Sequence, residues 1–357
     1  MNNLPLKVKI KDIARMAGVS VGTVDRVLHN RGDVSIKSRE KIEHVLREIN
    51  YTPNIYASAL ASKKAFTFLA IIPVLDAGDY WEKILEGITK AALELTDFRV
   101  KVDIRYFKQY NISDFCKTIE TAISEQPDGI LLSPMLKSVT FEYACKMDQM
   151  NIPYVFIDSR IEDAQPLAYY GQHSYLSGCL AGKLLLTEKP QTKEIAIFSF
   201  YHLGQVPANQ ISLRMSGFVS HMMEKKESCH LHRTTLDFNC PEKNEQILYE
   251  TFNKKPEIDG AVIFSSRAYV VAEFLKKYDM GHIKLIGYDL LERNVACLRN
   301  DSIAYLIAQR PEVQGYRGIK ALSDHLIFKK PVEAINYMPM DILIHKNIDF
   351  YLGFANY

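Results

Sequence analysis

The sequence lacks the features that would mark a membrane protein, a disulfide-stapled domain or a metalloenzyme. No apolar run reaches the ~18 residues that a membrane span needs, and residues 1–11 are polar and basic. Neither a membrane partner nor a signal peptide is therefore expected. The six cysteines (Cys116, Cys145, Cys179, Cys229, Cys240, Cys297) are scattered and form no C-x-x-C. That spacing excludes a zinc ribbon and points to reduced thiols in a cytoplasmic protein. Cys229 with His230 and His232 comes nearest to a metal set, but no second cluster supports it, so no metal and no cofactor is expected. Asp158, Asp289 and His173 are conceivable acid–base groups. No phosphate loop, nucleophile elbow or metal motif accompanies them, so an enzyme is not expected. Low-complexity segments and short repeats are missing, and there is a single tryptophan, Trp81.

What is present is a chain of 357 residues, 47% hydrophobic and 24% charged. It is too long for one ordinary domain and normal for a globular protein. Net charge is only +2, yet it is unevenly placed. Residues 1–65 carry 12 Lys and Arg against 6 Asp and Glu, a net +6. Residues 66–357 carry 32 against 36, a net −4. A basic head on a mildly acidic body suits phosphate contact by the head alone.

The head has helical periodicity. Ile10, Ile13, Ala14 and Ala17 recur on one face. Gly18 suits the helix end because it tolerates positive φ. Ser20 suits the cap of the next helix. There Val24, Val27 and Leu28 point inward, and Val21, Gly22 and Arg26 are left on the open side. A third helix, capped by Ser35, carries Ile42, Val45, Leu46 and Ile49. Two short helices joined by a tight turn with Gly make a helix-turn-helix, whose second helix enters the major groove. On spacing alone, a small three-helix bundle with no role on DNA stays open. Pro53 opens a short helix over residues 54–62, with Ala57 and Leu60 on one face. An isolated helix of that length is marginal in water, as a folding switch requires; an ordinary linker is the plain alternative.

The body alternates strands and helices twice over. Strands are expected at 65–73, 100–107, 129–133, 152–158 and 168–171, then at 194–199, 230–236, 260–264, 283–288, 303–308 and 337–344. Such alternation implies two α/β lobes, each a parallel sheet covered on both faces. Ligands of open α/β sheets bind beyond the carboxyl ends of the strands. Asp76, Asp79, Tyr80 and Trp81 follow the first strand, and Asp158 and Arg160 follow the fourth. Asp289 closes the strand Ile-Gly-Tyr, and Gln309 closes the next. Aromatic faces stack on sugar rings and carboxylates accept from hydroxyls, although each residue alone could be a cap, a core aromatic or a surface ion pair.

Residues 8–64 resemble the amino-terminal domain of the lactose-repressor (LacI/GalR) family of bacterial transcription regulators. The resemblance rests on Ile-Lys-Asp-Ile-Ala-Arg-Met-Ala-Gly-Val-Ser at 10–20, Thr-Val-Asp-Arg-Val-Leu at 23–28, Asn30, Val-Ser at 34–35, and Tyr-Thr-Pro-Asn at 51–54. More loosely, the body resembles that family's periplasmic-binding-protein-like core. The resemblance implies an α/β chain with a three-helix helix-turn-helix head (1–50), a hinge helix (51–64) and an effector-binding core of two parallel sheets (65–357). Lobe 1 is expected at about 65–172 and 310–331, and lobe 2 at about 173–309 and 332–357.

The same resemblance implies that Ser20, Val21, Gly22, Thr23, Arg26, Asn30, Asn54, Ala57 and Leu60 meet DNA. Val21 could pack on a thymine methyl, Arg26 could fork onto guanine, and Leu60 could wedge into the minor groove. Asp25 stands where the family usually has Ser; it could accept from cytosine or pair with Arg26. For the effector, the resemblance implies Asp79, Tyr80, Trp81, Asp158, Arg160, Arg214, Asp289 and Gln309. Departures at Gln172-His173, Ser265-Ser266-Arg267 and Arg310 suggest an acidic sugar, approached by Arg160, Arg214, Arg267 and Arg310.

The expected function is a cytoplasmic homodimer that reads a pseudo-palindromic operator in double-stranded DNA. It would repress carbohydrate-use genes under control of a sugar or sugar-acid effector. A periplasmic-type solute-binding protein is the alternative, as is a co-repressed regulator answering to a non-sugar metabolite. The short aromatic tail gives no reason to expect a coiled-coil tetramer.

Overall fold

A computed structural model describes residues 8–28, 31–32, 34–49, 51, 55–75, 78–109, 111–201, 209–225, 229–237 and 240–355. The chain divides into two compact units, residues 1–62 and 63–357. The first holds helices α1 (Ile10–Ala17), α2 (Val21–Leu28), α3 (Ile36–Glu48) and α4 (Ile55–Ala61). Its core is the expected stripe: Ile13, Ala14, Ala17, Val24, Val27, Ile42 and Val45 are buried together. Ile10, Leu28, Leu46 and Ile49 pack at its margin. Gly18 ends α1 at φ 63°, a left-handed conformation that an L side chain rarely adopts. Ser20 Oγ accepts from the Thr23 amide at 3.1 Å, and Ser35 Oγ from the Ser38 amide at 3.3 Å. Each satisfies an otherwise orphaned helix donor.

The second unit runs β1 (Phe66–Pro73), α5 (Tyr80–Glu94), β2 (Val100–Phe107), α6 (Ile112–Ser124), β3 (Gly129–Leu132), α7 (Lys137–Gln149), β4 (Tyr154–Ile157), β5 (Ala168–Gly171) and α8 (Ser174–Glu188). It continues β6 (Glu194–Tyr201), α9 (Asn209–Lys225), β7 (His230–Asp237), α10 (Pro241–Lys254), β8 (Gly260–Ile263), α11 (Ala268–Lys277), β9 (Lys284–Tyr288) and α12 (Glu292–Arg299). Then come β10 (Tyr305–Ala308), α13 (Pro311–Leu326), β11 (Ile335–Tyr337), β12 (Asp341–Leu343) and α14 (Ile348–Ala355). Two six-stranded sheets result, ordered β11-β5-β4-β3-β1-β2 and β12-β10-β9-β8-β6-β7. All pairs are parallel except β10 with β12. Strands β1, β3, β4 and β8 are buried almost throughout, as expected for strands covered on both faces.

The carboxyl-terminal stretch differs from the sequence reading. In place of one strand at 337–344 there are two short ones, with Pro339 between them. β11 pairs with β5 in the first sheet and β12 with β10 in the second. Residues 335–337 therefore belong with lobe 1, not with lobe 2, and the chain passes between the lobes three times. The apolar stretch leading into 344 hid this break, because a proline between short strands reads like an edge strand. Residues 348–355 form α14, with Ile348 buried in the second lobe's core and Tyr351 and Leu352 packed on it.

Candidate ligand cleft and DNA-reading head

The two lobes share one cleft, at the carboxyl ends of the sheets. It is lined by Asp79, Tyr80, Trp81, Asp158, Arg214, Asp289 and Gln309, which are seven of the eight residues singled out by sequence. Arg160 is the exception, since its side chain is not part of the lining; its backbone carbonyl accepts from Asn209 Nδ2 at 2.9 Å. Gln109, Met135, Phe200, Gln210, Ile211, Phe264, Ser265, Ser266 and Arg267 complete the wall. The space open to the centres of water molecules is about 70 Å³.

Asp158 and Asp289 occupy equivalent places in the two lobes. Each follows the third strand from the β11 or β12 edge and takes a left-handed backbone, at φ 66° and 67°. Asp accepts that region more readily than most residues. The Asp158 amide donates to the Tyr170 carbonyl and to Gln314 Oε1, both at 3.0 Å. The Asp289 amide donates to the Ile307 carbonyl at 3.1 Å. Both carboxylates are thereby fixed by backbone at the cleft floor.

Arg214 is the cation between them and is 1% exposed. Its Nη1 donates to the Phe264 carbonyl at 2.9 Å and its Nη2 to Gln309 Oε1 at 3.1 Å. The guanidinium lies 4.0 Å from the centroid of the Tyr288 ring. Close helix packing puts it there. A Cβ on Gly178 of α8 would strike the Arg214 carbonyl, and one on Gly217 of α9 would strike the Tyr175 carbonyl. Only glycine allows α8 and α9 so near, and that approach sets the depth of Arg214.

A hydrogen-bonded network crosses the cleft. Tyr80 Oη donates to Asp158 Oδ1 at 2.9 Å, and Gln210 Nε2 donates to the same oxygen at 3.0 Å. Gln210 Nε2 also reaches Gln309 Oε1 at 3.1 Å, and Gln309 Nε2 donates to Asp289 Oδ1 at 2.8 Å. The second carboxylate oxygen of Asp158 and of Asp289 makes no hydrogen bond among the described residues. Arg214 Nε is buried and likewise has no partner there. A buried, unpartnered guanidinium N–H is costly in the absence of an acceptor. The two carboxylate oxygens left open suit a hydroxyl that donates to Asp158 or Asp289.

Burial drives the titration of this group. It pushes the Asp289 carboxyl up to about 6, against the opposing pull of Arg214 and Gln309. Burial also raises Asp158, against Arg214 and the hydrogen bonds from Tyr80 and Gln210. The Tyr80 phenol is raised by burial and by both carboxylates. Asp79 caps α5 by accepting from the Tyr80 amide at 2.7 Å, so the capping reading and the cleft reading both hold. Trp81 is 4% exposed and meets Tyr80 edge-on at 5.2 Å.

Of the four arginines considered for an acidic ligand, Arg214 and Arg267 line the cleft and Arg160 does not. Arg310 is held by Asp341 at 2.7 and 3.2 Å. Three aspartates thus face two arginines, which weakens the case for a sugar acid. Sequence reasoning missed Gln210. It lies one helical turn before Arg214 on the same face of α9, and that spacing was the available signal. Gln172, noted by sequence only as a departure, has a bonding role that the sequence did not show. This buried side chain donates to the Ala308 carbonyl at 2.8 Å and the Pro339 carbonyl at 3.1 Å, tying all three passages between the lobes.

In the head, Val21, Gly22 and Arg26 are exposed on α2, and Val21 is 51% accessible. Ser20 and Thr23 hydroxyls meet at 2.8 Å. Asp25 takes Arg31, at 3.4 Å, where the sequence suggested Arg26 as partner. In α4, Ala57 and Leu60 are both exposed, Leu60 at 53%, while Ala59 is buried. Asn30, Asn54, Pro53 and Asp76 lie outside the described residues. Among those described, no helix is long and apolar enough to cross a membrane.

Comparison with known proteins gives two family matches. Residues 9–54 match the model for bacterial regulatory proteins of the lacI family, and residues 69–330 match the periplasmic binding protein domain. The chain is 28% identical over 176 residues to the sucrose operon repressor of Staphylococcus xylosus, covering 49% of this chain and 52% of that protein. It is 24% identical to the ribose operon repressor of Lactococcus lactis over 341 residues, 94% of this chain and 98% of that one. The chain spans about half the length of several curated relatives that it matches, the Staphylococcus repressor among them. A solved structure from Bacteroides fragilis, described as a candidate LacI transcriptional regulator, superposes with a TM-score of 0.78. It is 38% identical, over 81% of this chain and 100% of that one.

Proposed function

Because the chain belongs to the LacI family of bacterial regulatory proteins, with a periplasmic binding protein domain as its body, we propose that it is a cytoplasmic, ligand-controlled transcription regulator. It acts as a homodimer on a pseudo-palindromic operator and represses carbohydrate-use genes. The effector is a small sugar seated between the lobes. Trp81 and Tyr80 meet the ring face, Asp158 and Asp289 accept from its hydroxyls, and Arg214 donates to one of them. Val21, Gly22 and Arg26 read bases, and Leu60 with Ala57 forms the minor-groove wedge.

The observation that carries this reading is an aromatic-walled cleft lined by Trp81, Tyr80, Arg214 and the two aspartates Asp158 and Asp289. A neutral polyol supplies donors to both carboxylates. A charged acid would have to face Asp79, Asp158 and Asp289. The relatives named for sucrose and ribose operons support the sugar class without choosing a member. Binding between the lobes changes their closure about the three passages that Gln172 ties, and that change reaches the DNA-binding end. By linkage, the ligand shifts operator affinity only by its difference in affinity for the two states.

The test is a thermal-shift screen of the full chain against neutral sugars, amino sugars and sugar acids. A ligand at about a hundred times its dissociation constant adds about 2.7 kcal/mol. Stabilisation by one or a few neutral sugars is expected. Stabilisation confined to sugar acids would reverse the charge argument, and a blank across the panel would remove the sugar reading.

A further inference from the structure

The DNA-facing side of α2 carries a carboxylate. Asp25 stands one turn after Val21 and Gly22, so it shares their face. A lone carboxylate there would meet a phosphate-lined groove and be repelled. The structure answers this charge with a residue from beyond the helix. The Arg31 amide donates to the Arg26 carbonyl at 2.9 Å, which holds Arg31 beside the last turn of α2. The Arg31 Nη1 then lies 3.4 Å from Asp25 Oδ2. Backbone and side chain are thus fixed independently against neighbouring residues of one helix. Asp25 and Arg31 cancel, and Arg26 keeps its net charge.

We infer that Arg31 is a DNA phosphate-contacting residue in each half-site and that Asp25 is its positioning residue. This rests on the regulator reading above. A guanidinium has five N–H donors in a planar fork. The contact with Asp25 occupies one edge of it, and the side chain is 68% exposed, so donors remain for a phosphate oxygen. An exposed pair of this kind adds little to stability, so its use is in aiming the arginine. Arg31 then restores an attraction that Asp25 would otherwise take from the reading helix.

The experiment uses the full chain, a duplex selected by the wild-type protein from a random pool, and a mixed-sequence duplex. Affinity is measured from about 50 to about 200 mM salt. Each lost phosphate contact lowers the log–log salt slope by about 0.9, so Arg31→Ala should lower it by roughly 1.8 for two half-sites. The deficit should therefore be about tenfold larger at the low-salt end than at the high-salt end. It should be similar on both duplexes, because phosphates carry no sequence. Arg31→Lys should keep the slope. Asp25→Asn should improve binding several-fold more in the Arg31→Ala background than in the wild type, because there Arg31 no longer offsets the carboxylate. An unchanged slope for Arg31→Ala, or additive effects of the two substitutions, overturns the inference alone. A wild-type chain with no salt-dependent DNA binding overturns the regulator reading and this inference with it.

Discussion

Replacing Arg214 with Met removes the charge and keeps most of the volume. The guanidinium is buried, stacks over Tyr288, holds the Phe264 carbonyl and Gln309, and lowers the proton affinity of both Asp158 and Asp289. Taking away one partner of a buried charge group costs about 3 to 5 kcal/mol, because the other charges stay behind. Here two carboxylates stay behind, and they can escape by taking up protons. The loss should thus be near the upper figure at pH 8 and clearly smaller at pH 5.5, where Asp289, already pushed up to about 6, is largely neutral in the folded protein. Denaturant unfolding followed by the emission of Trp81, the single tryptophan and part of the cleft wall, reads the body without the head. A loss under about 1 kcal/mol, or one equal at the two pH values, would refute the claim that Arg214 compensates the two buried aspartates.

Other substitutions separate the parts. Asp289 is an acid raised from 3.8 to about 6 on folding, so the folded state holds the proton more tightly than the unfolded one. Acidification from about pH 6 to about pH 4 therefore stabilises through this group. Effector affinity should move the opposite way, weakening below about pH 6 as the acceptor is lost, and calorimetry on Asp289→Asn should find weak binding without that pH step. Gly178→Ala places a methyl against the Arg214 carbonyl and should cost about 1–3 kcal/mol together with effector affinity. Gly281→Ala, with open space around it, should stay within about 0.5 kcal/mol of the parent. Leu60→Ala should abolish tight operator binding in a gel-shift assay and leave effector affinity unchanged; operator affinity that survives would remove the minor-groove wedge.

Local chemistry made the head legible. Gly18, Ser20 and Ser35 announce helix ends by backbone requirements that few residues meet, and the inner stripe follows from a fixed helical period. The cleft was legible to the extent that strand ends converge, which is why Asp158, Asp289 and Gln309 could be named before their contacts were known. Arg160 lies three residues past β4, where direction depends on the loop rather than the sheet, and it is not part of the lining. The roles of Gln210, Gln172 and Gln314 were hidden for a different reason. Each gains its meaning from a partner 50 to 170 residues away, and an amide carries no sequence signal of such a bond. The passage at β11 and β12 was missed because strands of three residues are too short to show a repeated alternation.

The most direct test of ligand control uses the full chain bound to its selected duplex, titrated with the sugar that gives the largest thermal shift, with Trp81 emission reporting occupancy of the cleft. Coupling of the usual size predicts that operator affinity changes by about 5- to 150-fold over the same range in which the cleft fills. Full occupancy with unchanged operator affinity would contradict the account, because the body would then bind its ligand without governing the head.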